Sequence, residues 1–199
     1  MSARAKSMKA VFLLAPLFLA VLTRAGGAQD LLSIRDNRLS LTIYKSQHTM
    51  YLYRGNEIVN VFHVFLGSSP VGHKVRRGDN KTPEGNYHVV DKKISENFYR
   101  FIGIDYPNAH DAELAFQQGK ITATERARIK RAVLEGIRPP ANTILGGHLG
   151  IHGVGSDEKF KLELIGNMDW TNGCIAVTNR EIRMLYQELP VGTLVRIRK

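Results

Sequence analysis

The chain contains a single cysteine, Cys174, so no disulfide within the chain can hold the fold together. A chain of 199 residues without such a cross-link depends on burying apolar side chains in an adequate core. We see no internal repeat, low-complexity linker or second module in the sequence. These features predict one catalytic or binding domain with one core.

The first half of the chain has the pattern of a β-sheet. Leu41 and Ile43 alternate with polar neighbours, and residues 49–54 continue the alternation as far as a Gly55-Asn56 turn. Residues 57–66 are rich in valine and phenylalanine, which predicts a central strand that is apolar on both faces. Further strands are predicted at 85–92, 99–104, 150–153, 174–177 and 193–198.

Two segments interrupt this pattern with helical signals. Residues 109–136 hold a short helix and then a second one, which opens on the capping box Thr122–Glu125 and ends near Gly136. Thr178–Glu181 is another capping box and predicts a helix to about Leu189. The fold class is therefore mostly β, with a helical insertion at about 109–136 and a helix near the C-terminus. The insertion is either a layer packed on the sheet or a cap beside an active-site groove.

The cysteine lies in a distinctive local sequence, Thr171-Asn172-Gly173-Cys174, and a histidine, His152, precedes Gly153 upstream. A lone thiol is often a small buried apolar side chain. Turn-forming residues around it instead indicate a presented side chain, and a thiol with a histidine base is a nucleophile. Gly173 also leaves backbone N–H groups open to an oxyanion.

These residues resemble the signature of the L,D-transpeptidase family, also called the YkuD domain. His-Gly, a spacer and Thr-x-Gly-Cys-Ile follow the family order, and the blocks at 66–74, 78–85 and 106–108 extend the likeness over roughly residues 38 to 199. The chain departs from the common form in two ways. Asn172 replaces a second histidine, and the spacer between His152 and Cys174 is longer than usual, which bears on the substrate and the exact reaction.

The resemblance implies a β-sandwich or barrel-like core with the cysteine at its rim. It implies roles for four catalytic groups: Cys174 as nucleophile, His152 as general base, the Gly153 carbonyl orienting that histidine, and the Gly173 N–H in the oxyanion hole. The residues expected to contact substrate are Thr171, Asn172, Trp170 and His148. For Trp170 and Asp169, the alternative to a functional role is a structural one, as a core side chain and as a hydrogen-bond partner of the turn.

The resemblance also implies a reaction on peptidoglycan stem peptides. Cys174 would attack the carbonyl of the third residue of a tetrapeptide stem, D-alanine would leave, and the amine of a second stem would resolve the thioester. If water resolves it, the enzyme is an L,D-carboxypeptidase. If a wall-linked protein lysine leaves, it is an amidase that detaches that protein. Outside enzymes, the alternative is a silent wall-binding module.

The remaining histidines suggest no metal site. His148 lies four residues before His152, and on a strand that spacing separates them by about 13 Å. His63 interrupts an apolar strand and is interpreted as a core histidine with a satisfied hydrogen bond. No partner can be named for the others, which are His48, His73, His88 and His110. Neither a metal nor another cofactor is expected.

The N-terminal residues have the composition of a secretory signal. Basic residues precede an apolar run from Ala10 to Leu22, which is short for a membrane span, and small residues follow at 25–28. We therefore interpret 1–28 as a signal peptide and 29–199 as an exported catalytic domain, periplasmic or elsewhere in the cell envelope, without a stable membrane span and monomeric. A formal net charge of +10 suits an anionic wall polymer, and no nucleic-acid motif is present.

Overall fold

An eight-stranded sheet organises residues 37–199, the part of the chain that this computed structural model describes. The sheet order is β3-β2-β1-β8-β4-β5-β6-β7, and only the pairs β1–β8 and β6–β7 are parallel. The strands are β1 Leu39–Tyr44, β2 Thr49–Arg54, β3 Glu57–His63, β4 Gly85–Ser95, β5 Tyr99–Ile104, β6 Gly150–Gly153, β7 Ile175–Val177 and β8 Leu194–Arg198. The mostly-β prediction is confirmed. The predicted signal peptide, 1–28, lies outside the described residues.

The sheet curves until its two ends meet. The segment that follows β3 forms a β-bridge from Phe65 to Ala176 in β7, and a second bridge joins Gly67 to Thr171. The enclosed space is filled by the inward side chains of the alternating strands, among them Leu41, Ile43 and Ile151, all fully buried. This closure brings the chain before Cys174 against the chain after β3, and so places the cysteine at the rim of a barrel-like core.

The prediction that residues 57–66 form a central strand is wrong. β3 ends at His63 and is the edge strand, pairing only with β2 among the named strands. Its apolar side chains are largely in solvent, with Ile58 at 53% and Val61 at 55% exposure. The apolar residues at 57–66 therefore do not belong to one buried strand. The first part is an exposed edge strand, and the second part is the buried segment Val64–Leu66.

The described residues contain four α-helices and a short 3-10 helix at Lys45–Gln47. The α-helices are α1 Ala109–Gln117, α2 Ala123–Leu134, α3 Glu158–Ile165 and α4 Asn179–Glu188. The predicted capping boxes are confirmed, because the Thr122 and Thr178 hydroxyls accept hydrogen bonds from the Glu125 and Glu181 N–H groups. α3 was not predicted. Its N-cap, Asp157, is left-handed and makes no side-chain capping bond, so this helix start lacks the capping box that marks α2 and α4.

Helices α1 and α2 form the helical insertion and have a small apolar core of their own. Ala112 and Ala115 of α1 pack with Ile121, with Ile129 of α2, and with Leu145 on the chain that leads into β6. Arg128, on another face of α2, lines the groove that also contains Cys174. This placement agrees with the cap interpretation. No helix within residues 37–199 is long and apolar enough to cross a membrane.

Candidate active site

Cys174 opens onto a groove of about 780 Å³ at the start of β7. Two loops and one helix form the walls. The loop between β3 and β4 contributes Lys74, Arg77, Gly78 and Asn80, helix α2 contributes Arg128, and the segment before β6 contributes Ala141, Asn142, Gly146, Gly147, His148 and Leu149. Asn172 completes the lining beside the cysteine. The groove is therefore built from loops next to the ends of β3, β6 and β7 and from one helix of the insertion.

The parallel pairing of β6 and β7 brings the cysteine and the histidine together. His152 is opposite Ala176, and extending the register by two residues places Cys174 opposite Gly150. Because residues two apart on a strand point to the same face, Cys174 and His152 share one face as diagonal neighbours. Strand spacing and rise separate their Cα atoms by roughly 8 Å, a distance that the two side chains can span.

His152 is held in a fixed tautomer and a fixed orientation. Its Nδ1 lies 2.8 Å from the Gly153 carbonyl oxygen, which can only accept, so Nδ1 donates and the neutral ring has its lone pair on Nε2. The ring is 1% exposed and packs among three aromatic rings, those of Phe98, Phe101 and Trp170. Burial lowers the pKa of His152, and the bond to Gly153 only partly opposes this effect.

The thiol is protonated at neutral pH. Burial raises the pKa of Cys174 to about 11, although the Gly150 N–H and the cations Lys74 and Arg138 act in the opposite direction. The sulfur lies 3.9 Å from the His148 carbonyl oxygen, to which it donates. The resting site thus holds a neutral thiol and a neutral imidazole, so forming a thiolate there requires a base to accept the thiol proton.

Thr171 braces the turn that presents the cysteine. Its side chain is buried, and its hydroxyl donates to the Cys174 carbonyl at 2.7 Å and accepts from the Gly173 N–H at 3.0 Å. The Gly173 backbone has a φ of 126°, and a Cβ there would lie 2.6 Å from the Lys81 carbonyl oxygen. Only glycine fits this position.

The same geometry bears on two predicted roles. Because the Gly173 N–H is bonded to Thr171, it is not free to bind an oxyanion in this conformation. Thr171 is buried in the turn and is absent from the groove lining. Asn172 and His148 do line the groove as expected, whereas Trp170 packs its ring edge-on to His152 at 5.8 Å between centroids.

Asp169 ties the cysteine loop to the rest of the barrel. Its carboxylate accepts from the Leu66 N–H at 2.7 Å and from His48 Nε2 at 2.9 Å. Both partners are distant in sequence, so no local sequence pattern predicts these two contacts of Asp169. The Asp169 carboxylate therefore fixes the distance between the loop that precedes Cys174 and the segment that follows β3.

Several histidine interpretations are corrected by their surroundings. His63 is exposed and stacks on His48, rather than lying in the core. His73 and His88 each have an acidic partner at 3.2 Å, Asp111 and Asp105. His148 is not on a strand but has a left-handed backbone, with φ of 57°. Within residues 37–199, no three side chains of the metal-binding types come together.

Two side chains near the site were not singled out from the sequence. Phe98, in the turn between β4 and β5, covers the His152 ring at 4.2 Å between centroids. Arg138 pairs with Asp91 and lies over the Phe101 ring. Neither belongs to a recognisable motif, because both act through contacts between segments far apart in the chain.

Comparison with known proteins identifies the family of this chain. Residues 39–197 match the family model of the YkuD L,D-transpeptidase catalytic domain. The putative L,D-transpeptidase YafK of Escherichia coli K12 is 31% identical over 77 residues, which span 36% of this chain and 31% of YafK. The chain thus matches under a third of that relative's length.

Two solved structures share the fold. The helical cell shape determining protein Pgp2 from Campylobacter jejuni has a TM-score of 0.51 at 21% identity, covering 81% of this chain and 48% of that one. Bd1075 from Bdellovibrio bacteriovorus also has a TM-score of 0.51, at 16% identity and with the same coverage of both chains. With the family model matched over nearly the whole described region, the chain belongs to the YkuD family of L,D-transpeptidase catalytic domains.

Proposed function

We propose that this protein is a cysteine-dependent peptidoglycan L,D-transpeptidase. The proposal rests on the parallel register of β6 and β7, which places Cys174, the residue just before β7, diagonally from His152 on the same face. The Gly153 carbonyl sets the imidazole tautomer. A thiol that lines a groove and a histidine whose free nitrogen is basic form a nucleophile–base pair.

In the proposed acylation step, the sulfur attacks the carbonyl of the third residue of a tetrapeptide stem. His152 Nε2 takes the thiol proton as the C–S bond forms, and the carbonyl oxygen becomes an oxyanion. The tetrahedral intermediate collapses as the C–N bond breaks, and His152 returns the proton to the departing amine of D-alanine. The neutral resting pair suits this order, because a neutral imidazole has a free lone pair on Nε2 to accept the thiol proton.

The oxyanion needs donors other than the Gly173 N–H as it stands. Either the Thr171–Gly173 bond opens when substrate binds, or neighbouring groups such as the Asn172 side chain and the Cys174 N–H supply the donors. One well-placed donor contributes about 3 kcal/mol to lowering the barrier. The turn that Thr171 holds in place is therefore part of the proposed oxyanion site, even though the Thr171 side chain does not contact the substrate.

The second half-reaction decides between transfer and hydrolysis. An amine from a second stem gives a cross-link, whereas water gives L,D-carboxypeptidase activity, or amidase activity if the departing amine belongs to a wall-linked protein. All three share the thioester on Cys174. We propose transfer first because the matched family model and the Escherichia coli relative YafK are both described as L,D-transpeptidases. We place the reaction in the cell envelope, where peptidoglycan lies.

The test is incubation of the purified protein with a disaccharide-tetrapeptide, with products resolved by mass. Cross-linked dimers identify a transpeptidase, and tripeptides identify a carboxypeptidase. The Cys174→Ala variant is the matched control and should yield neither. No product from the wild-type protein, together with failure of the thiol to be acylated by a carbapenem, would favour the silent wall-binding module instead.

A further inference from the structure

One cation of helix α2 differs from its neighbours. Arg126 and Lys130 both lie near Glu113 of helix α1, and Arg131 pairs with Glu135 at 2.7 Å. Arg128 lines the Cys174 groove and makes no hydrogen bond and no ion pair within 4 Å among residues 37–199; a longer-range attraction links it to Glu125. The other three cations of the helix thus have carboxylate partners, whereas Arg128, which faces the groove, is available to bind an anionic ligand.

The groove around Arg128 has an uncompensated positive charge. Its lining includes three cations, Lys74, Arg77 and Arg128, and no carboxylate. The Lys74 ammonium is neutralised by Asp79 at 2.6 Å. Burial alone would raise the pKa of Asp79, but Lys74 and backbone N–H groups outweigh it and lower that pKa to about 2, so the Asp79 carboxylate stays ionised. The Arg77 guanidinium donates to the Ala141 carbonyl, a neutral group, and has no carboxylate partner among residues 37–199.

We infer that Arg128, together with Arg77, is a specificity-determining residue that binds a free carboxylate of the stem peptide next to the scissile bond. The inference rests on the proposed function, which supplies the peptide. A planar guanidinium binds a carboxylate through two parallel hydrogen bonds, and such charge-assisted bonds are stronger than neutral ones. The asparagines in the lining, Asn80 and Asn142, are available to complete the carboxylate's hydrogen bonds.

Two carboxylates of a tetrapeptide stem have this chemistry. One is the α-carboxylate of the terminal D-alanine, and the other is the side-chain carboxylate that the third residue carries when it is a diamino dicarboxylic acid. Both lie within a few bonds of the carbonyl that Cys174 would attack. Amidation removes the charge of either one separately, so it identifies the source.

The experiment measures binding in the full-length Cys174→Ala protein, so that it does not depend on turnover. The probes are a tetrapeptide stem with both carboxylates free, the same stem amidated at the terminal residue, and the same stem amidated at the third-residue side chain. Each is titrated against the Cys174→Ala protein and against versions that also carry Arg128→Gln or Arg131→Gln. Arg131→Gln is the matched control, because it removes the same charge from the same helix at a side chain that is 80% exposed.

We expect Arg128→Gln to weaken binding of the free stem by about tenfold to a hundredfold, the range for losing a charge-assisted contact. Amidation at one of the two positions should weaken binding to the Cys174→Ala protein by a similar factor. The same amidation should cause little further loss in the version that also carries Arg128→Gln. Arg128→Lys should restore part of the affinity. Equal effects of the Arg128 and Arg131 substitutions, equal amidation costs with and without Arg128, or no binding of any stem would overturn the inference. Failure of the proposed function would instead appear as absent chemistry in the wild-type protein while carboxylate-dependent binding persists.

Discussion

Removing the Thr171 hydroxyl tests how the turn presents the cysteine. Thr171→Val keeps the shape of the side chain but leaves the buried Gly173 N–H and the Cys174 carbonyl without their bonds of 3.0 and 2.7 Å. Each lost bond costs about 1 kcal/mol, and a buried group left unsatisfied costs up to about 3 kcal/mol. The Thr82 hydroxyl lies 3.5 Å from the Cys174 carbonyl oxygen, and its long hydrogen bond offsets part of this cost. We expect the free energy of unfolding to fall by about 2–3 kcal/mol.

The matched control for this substitution is Thr171→Ser, which keeps the hydroxyl and loses only a methyl group, worth about 1 kcal/mol. Urea unfolding followed by circular dichroism gives the free energies of the three proteins. Stem-peptide turnover should fall much more in the valine variant than in the serine variant, because the cysteine loses its fixed position. If the two variants are equally stable and equally active, the hydroxyl does not hold the turn and the reasoning fails.

Three further predictions concern the base, the pH dependence and the loop packing. His152→Ala should slow acylation by at least about a hundredfold in single-turnover assays, whereas similar losses in His148→Ala would mean that the base is misassigned. Because the pKa of His152 is lowered, the acylation rate should be level at neutral pH and fall only below its ordinary 6.5, as the imidazole takes up a proton; a rate that keeps rising toward the thiol pKa of about 11 would show attack by a preformed thiolate. Gly67→Ala should cost at least about 2 kcal/mol of unfolding free energy, because a Cβ there would lie 2.2 Å from the Asn80 carbonyl oxygen; an unchanged thermal midpoint would show that this loop yields freely.

Local signals predicted much of the fold. Capping boxes at Thr122 and Thr178 mark helix starts because side chain and backbone bond within one turn, and the structure shows both. Alternation in residues 39–54 predicts strands with one buried face, and Leu41 and Leu52 are indeed fully buried. In each case the interacting groups are close in sequence, so the pattern contains the interaction.

Features set by distant contacts were not predictable in the same way. The position of β3 at the sheet edge depends on which strands pair with it, and valine-rich edge and central strands have similar compositions. The bond between Asp169 and His48 joins residues 121 positions apart in the chain, so no local pattern predicts it. The bond from the Gly173 N–H to Thr171 depends on a turn geometry that a four-residue signature does not specify.

The measurement that tests the central claim most directly is the mass of the intact protein after brief exposure to a tetrapeptide stem. If Cys174 is the nucleophile, the protein should gain the mass of the stem without its terminal D-alanine, and peptide mapping should place the adduct on Cys174. Hydroxylamine should remove it, as expected for a thioester, and Cys174→Ala should gain nothing. An adduct that maps to another residue, or that still forms on Cys174→Ala, would contradict the account.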